Sequence, residues 1–354
     1  MGRLRVRVRG AGIVGLACAD ALAADGHRVE VVDPAPGSGA SGVAAGMLSP
    51  SSEVWHGEEE LLRLGLASLA EWPDLAAALD VPLHRGGVLL VGLDAGDRLQ
   101  VARQAELLAG LGHPVDELGP RAVRALEPAL ARVAGGALLA DDLAVDPRAV
   151  VAALLRRHPV APTSSGDPVD VEVWATGAAL PAPWTHLVRG VRGEVVRLRT
   201  DDPPTRTVRG WVAGETVYVV PRPGPPGSPV EVVVGATVEE HDAPPVPTLG
   251  GVHRLLDAAR RLLPGLDRSE VVEVAARDRP GTADGLPLVG PAPPGVPDGA
   301  DPLAAHLLAA GHHRHGVLLA PLTGRLVADA VAALADGAPG APTAHTALDP
   351  RRTT

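Results

Sequence analysis

Residues 4 to 33 read LRVRVRGAGIVGLACADALAADGHRVEVVD. A strand (4–9) runs into Gly10-x-Gly12-x-x-Gly15. A helix follows over about 13–25 with Gly26 as its C-cap, and a second strand (28–32) ends at Asp33. In such a unit the first glycine permits the tight turn, and the second lets the backbone approach a pyrophosphate at the helix N-terminus. The third allows close packing of helix on strand, and the carboxylate accepts from a ribose hydroxyl. The pattern predicts a dinucleotide-binding βαβ unit opening a parallel sheet. By itself it does not separate NAD from FAD. Cys18 lies inside the helix and reads as a small core residue.

Composition narrows the chemistry. The 354 residues contain no Phe, one Tyr and no Lys, so the core is Val, Leu and Ala and every strongly basic side chain is Arg. A Schiff-base lysine for PLP and a phosphate-loop lysine are excluded for want of the side-chain amine. The net charge of −10 comes without a basic patch, which argues against nucleic acid. One cysteine gives no intramolecular disulfide framework. No apolar run approaches the ~20 residues of a membrane span. A soluble cytoplasmic protein, without membrane contact, is the expectation.

After Asp33 comes GSGASGVAAGMLSP (37–50), a small-residue loop able to lie close along a flat cofactor. With it the chain resembles the FAD-dependent D-amino-acid oxidase superfamily, and within it the glycine oxidases of thiamine biosynthesis. These share the S-x-x-x-A-G-M-L pattern seen at Ser41 to Leu48. Four further blocks carry the resemblance over about residues 4 to 340. DDLAVDPRAVVAALL (141–155) has Asp146 as N-cap and Pro147 at the first helical position. VDVEVWATGAAL (169–180) is a strand with a Thr-Gly turn. VYVVPRPGPPGSPVEVVVGATVEEHD (217–242) is a hairpin opening near Tyr218. RDRPGTADGLPLVG (277–290) is followed by GHHRHGVLLAP.

The resemblance implies an α/β chain: a Rossmann-like FAD-binding domain on a parallel sheet, plus a mixed-sheet α+β substrate domain. The implied activity is oxidative deamination of glycine or another small amino acid. A hydride passes from Cα to flavin N5, and the product is the glycine imine used for thiazole formation. The implied partners are a small amino acid, oxygen or an electron carrier, thiazole synthase, and further copies of the chain in a homo-oligomer. Arg279, Arg314 and Tyr218 are the implied substrate residues, Arg279 as a fork for the carboxylate. The implied cofactor residues are Gly10, Gly12, Ile13, Val14, Gly15, Asp33, Pro34, Ala40, Ser41, Ala45, Gly46, Met47 and Gly177. To these are added His312, His313, His315, Gly316, Val317 and Leu318, leading a helix (317–337) toward the flavin. Two alternatives stand beside this reading: a D-amino-acid dehydrogenase delivering electrons to a carrier, and a degenerate nucleotide-binding scaffold.

The chain also departs from the family. Between Arg157 and Val169 it has only HPVAPTSSGDP, where relatives insert a three-stranded covering meander. Parallel strands buried on both faces read as continuous apolar runs, yet here Arg3, Arg5 and Arg7 alternate with Leu4, Val6 and Val8. Arg28 and Glu30 flank Val29, and Asp170 and Glu172 alternate with valines. The expectation is an exposed sheet face on which Arg5 and Arg7 pair with neighbouring acids. Ala275 stands where a tryptophan is usual, and Asp278 directly precedes Arg279. The domains are expected at 1–81, 145–198 and 284–338 for FAD and 82–144 and 199–283 for substrate, with a poorly ordered tail at 339–354. The three histidines lack the spacing of a helical metal site, and no metal is expected.

Overall fold

The computed structural model describes residues 2–224, 227–336 and 346–353. Its first sheet has the order Leu288–Pro291, Ala305–Ala310, Val171–Trp174, Arg5–Arg9, Arg28–Val32, Val160–Ala161. All neighbours are parallel except the first pair. The fingerprint folds as strand Arg5–Arg9, helix Ile13–Ala24 and strand Arg28–Val32; the C-cap is Asp25, not Gly26, which follows it at φ +84°. Val6, Val8, Val171, Val173 and Leu307 are buried against that helix and the helices Pro147–Arg157 and Ala320–Ala335. Each such side chain contributes roughly 1.5–3 kcal/mol by leaving water. Cys18 is part of this core, its thiol pushed up to about 12 by burial, and so inert. Asp146 caps its helix as expected, accepting from the N–H of Arg148 at 3.0 Å.

The opposite face of the sheet is not open, and here the expectation is corrected. Arg7 is 2% exposed and Glu172 0%. The charges do pair across strands: Arg7 donates to Glu30 at 2.6 Å and Glu172 at 2.8 Å, and Arg9 grips Glu172 with two bonds of 3.0 Å. Arg5 meets Asp170 through its backbone N–H. Two loops do the covering. Residues 162–168, following the short strand Val160–Ala161, return Ser165 N–H to Glu30 and the Asp167 carbonyl to Arg7. Residues 292–304 bring the Gly299 carbonyl onto Arg9 and the Asp301 carboxylate onto the N–H of Val169. A buried guanidinium must have its donors satisfied, and these loop carbonyls and carboxylates satisfy them. Farther along the same face, Trp174, Leu180, Trp184 and Leu308 form a small apolar cluster.

The second sheet has eight strands: Glu270–Gly281, Arg189–Thr200, Val230–Gly235, Glu215–Pro221, Thr207–Val212, Val88–Gly92, Gly135–Leu139 and Glu117–Leu118. It is antiparallel except where Thr207–Val212 runs parallel to Val88–Gly92. Arg189–Thr200 lies wholly within it, so the expected domain boundary at 198 cuts a strand and belongs before Arg189. The helix expected at 317 begins at Ala320, because residues 313–315 form a 3-10 turn and 316–319 a further turn. The tail is in part docked: Leu348 is buried and Arg352 bonds Asp284 and the Leu286 carbonyl. Residues 339–345 and 354 of the expected tail lie outside the described residues. No described helix is long and apolar enough to cross a membrane.

Candidate active site

One cavity of about 840 Å³ runs between the two sheets. At one end it meets the glycine turn. Gly10 adopts φ +107°, and a β-carbon there would collide with the backbone of Ala175. Gly12, Ile13 and Val14 line the wall at the start of the helix, where Ser41 Oγ accepts from the N–H of Ile13 at 3.0 Å. Asp33 lines the same end. Its two oxygens already accept from the N–H groups of Ala11 (2.7 Å) and Ala35 (2.8 Å), fixing the carboxylate at the turn. Pro34, Ala40, Ala45, Gly46, Met47 and Gly177 continue the lining. Arg222 donates to the carbonyls of Ala45 (2.7 Å) and Val145 (3.1 Å), tying the small-residue loop to the second sheet. Gly15 does not reach the cavity; it packs against the Gly10 carbonyl, which is the packing role read from the sequence.

The other end is built on the second sheet. Arg209, Tyr218, Gly235, Val195 and Ala275 are successive cross-strand partners, a row on one face. Ala275, the position where the resemblance implies a tryptophan, is buried beside Val195 and Met47. Two glycines seat the polar groups. A β-carbon on Gly235 would overlap the Tyr218 ring, and one on Gly193 would overlap the Arg279 guanidinium. Arg279 donates to the carbonyls of Arg192 and Thr237, both at 3.2 Å. Asp278 takes no part in this, because its carboxylate is held by Arg192 at 2.6 Å on the neighbouring strand. Burial pushes the Tyr218 hydroxyl up, against the pull of Arg279, so it stays a donor at neutral pH.

The histidine turn splits three ways. His312 lines the cavity from a buried position, bonds Thr323 Oγ1 at 2.9 Å, and is lowered to about 4 by burial. His313 lines the cavity and is likewise lowered to about 4. His315 is buried away from the lining, 3.6 Å from Glu53. Gly316 and Val317 line the cavity, whereas Leu318 turns its carbonyl to Ser68 and Trp72. Arg314 lines the cavity, but its guanidinium is committed to the Glu58 carboxylate (2.7 Å) and the Glu53 carbonyl (2.9 Å). Among the described residues no group of His, Cys, Asp and Glu is placed to hold a metal.

Sequence reasoning missed Arg209 and Glu53, both in the lining and 3.1 Å apart. Arg209 sits at an ordinary alternating position of TVRGWV. Its one available signal is the pairing of that strand with the strand of Tyr218. Glu53 lies just past the A-G-M-L loop, in a helix of one turn (Pro50–Glu53).

A glycine turn at a helix N-terminus, a carboxylate at the end of the second strand and a long cavity reaching a guanidinium-rich sheet define a flavin-type oxidoreductase site. Over residues 5–330 the chain matches the family model of FAD dependent oxidoreductases, and it belongs to that family. It is 35% identical, over 90% of its length and 93% of the relative, to a Rhizobium etli protein named for thiamine biosynthesis, the oxidoreductase ThiO. It is 30% identical to the glycine oxidase of Geobacillus kaustophilus over 93% of both chains. The crystal structure of that glycine oxidase superposes with a TM-score of 0.78, covering 93% of this chain and 95% of that one. A bifunctional ThiO/ThiG protein of Trichormus variabilis is 29% identical over 90% of this chain, which spans 51% of that protein.

Proposed function

We propose that the chain oxidises glycine, or another small amino acid, to its imine. The observation that carries this reading is the continuity of one cavity from the Gly10–Gly12 turn to Arg279 and Tyr218. The residues present fit FAD: the Gly10 turn leaves no room for a side chain, and the loop 40–47 is built of small residues. Gly10, Gly12, Asp33 and the loop Ala40–Met47 would hold it. When bound, FAD supplies the acceptor for the hydride that leaves the substrate Cα.

The rest falls to the protein. Arg279 offers a fork to the substrate carboxylate, and the neutral Tyr218 hydroxyl adds a donor beside it. Fixing the carboxylate at one end holds Cα in place, and such positioning is the main contribution to rate in chemistry of this kind. His312 and His313, both held neutral by burial, add no further positive charge to a lining that already carries Arg209, Arg279 and Arg314. The helix Ala320–Ala335 starts beyond Val317, and its positive end favours negative charge developing in the cavity. The fusion of a ThiO-like part to ThiG in one relative supports delivery of the imine to a thiazole synthase.

The test is direct. Purified protein should be yellow with a flavin spectrum. Glycine, sarcosine and D-alanine are then offered with oxygen, scoring peroxide, and with a redox dye under nitrogen. Turnover with oxygen makes the chain an oxidase, and turnover with dye alone makes it a dehydrogenase. A colourless protein, or a yellow one inert to all three substrates with both acceptors, overturns the reading.

A further inference from the structure

Among the described residues lining the cavity, two carry carboxylates, Asp33 and Glu53. Asp33 is fixed at the glycine turn by two backbone N–H groups. Glu53 stands at the opposite end. Its Oε1 accepts from Arg209 NH1 at 3.1 Å, and Arg209 faces Tyr218 directly across paired strands. Its Oε2 is 3.6 Å from His315 Nδ1, beyond hydrogen-bond reach, and remains open to a donor. The Glu53 side chain is 11% exposed. The Arg209 Nε is buried without a partner, so this corner of the site is incompletely satisfied.

An amino acid whose carboxylate meets Arg279 brings its amino nitrogen along, only two bonds from the carboxyl carbon. The side chains around it are donors: Arg279, Arg209 and Tyr218. An amine needs an acceptor, and an ammonium among guanidinium groups needs a negative charge. Resting on the oxidase reading above, we propose that Glu53 receives the substrate amino group and that Arg209 sets its strength as an acceptor. The Arg209 guanidinium offsets the Glu53 charge. The pair therefore accepts an N–H bond without holding the substrate as a fully charged ammonium, the form that cannot release a hydride from Cα.

The experiment compares glycine with acetate, which has the carboxylate and no amino group, on the flavin-loaded enzyme. Glu53→Gln should raise KM for glycine by about tenfold or more, the weight of a lost charge-assisted bond. The inhibition constant of acetate should stay within about twofold. Arg209→Gln should move the ratio of the two constants the opposite way, favouring glycine, because it leaves Glu53 uncompensated. A Glu53→Gln enzyme in which both constants change together, or neither changes, overturns the proposal. So does an Arg209→Gln enzyme with an unaltered ratio, which decides the matter should the first variant shed its flavin. A parent protein that binds flavin and acetate yet oxidises no amino acid removes the oxidase reading itself, a result distinct from both.

Discussion

The Arg279 guanidinium rests on Gly193 of the neighbouring strand, so close that a β-carbon at 193 would overlap its terminal atoms. Gly193 lies inside the strand Arg189–Thr200, and alanine there meets only the far end of a flexible side chain. Gly193→Ala should therefore cost little stability while pushing the fork out of place. The expected result is a normal melting temperature and flavin spectrum with kcat/KM for glycine reduced about 10²-fold, the scale of a misplaced positioning group. Unchanged kinetics would show that Arg279 is not the carboxylate fork.

Arg279→Lys keeps the charge and loses the two parallel donors. At a bidentate site this exchange is not conservative. KM for glycine should rise by about tenfold or more, and acetate inhibition should weaken in parallel, because both ligands use the same fork. Steady-state kinetics with acetate as competitor checks the parallel.

Glu172 is gripped by Arg7 and Arg9, and its side chain is fully buried. Glu172→Gln leaves two guanidinium groups competing for one neutral amide under the loops. The cost expected is about 3–5 kcal/mol, as for other broken buried pairs, read from urea or guanidinium unfolding midpoints. Because loop residues Thr163 and Ser164 also line the cavity, flavin affinity should fall as well, measured by flavin fluorescence on dilution.

Asp142 gives a pH signature. It accepts from the N–H of Ser52, and burial pushes it up to about 8. Its folded value thus lies above the unfolded one of about 3.9. The protonated form favours the fold, so this contribution is complete below about pH 4 and is lost as pH rises toward 8. Asp142→Asn mimics the neutral acid. Unfolding midpoints from pH 5 to 9 should show a flatter alkaline decline in the variant, which ends more stable than the parent above about pH 8. A steeper decline would contradict the assignment.

Local signals were readable in the sequence because local physics makes them. The Gly10–Gly15 turn, the Asp146–Pro147 cap and the strand of Tyr218 each depend on a few adjacent residues. What could not be read arises between distant segments. Arg209 faces Tyr218 only once two strands pair, and Glu53 reaches Arg209 only when the first loop meets the second sheet. The alternating charges of the first strand were legible, and so was their pairing, but not the burial. That depends on residues 162–168 and 292–304, about 155 and 290 positions away and without a periodic pattern. The resemblance placed Arg314 beside the substrate, and its neighbour Glu58 on a distant segment could not be read from the sequence.

The two loops that roof Arg7, Glu30 and Glu172 give this sheet an ionic lid in place of an oily one. The hydration lost by buried ions matters less as temperature rises, while apolar burial stops gaining. The cost of roofing this face with ions therefore shrinks on warming.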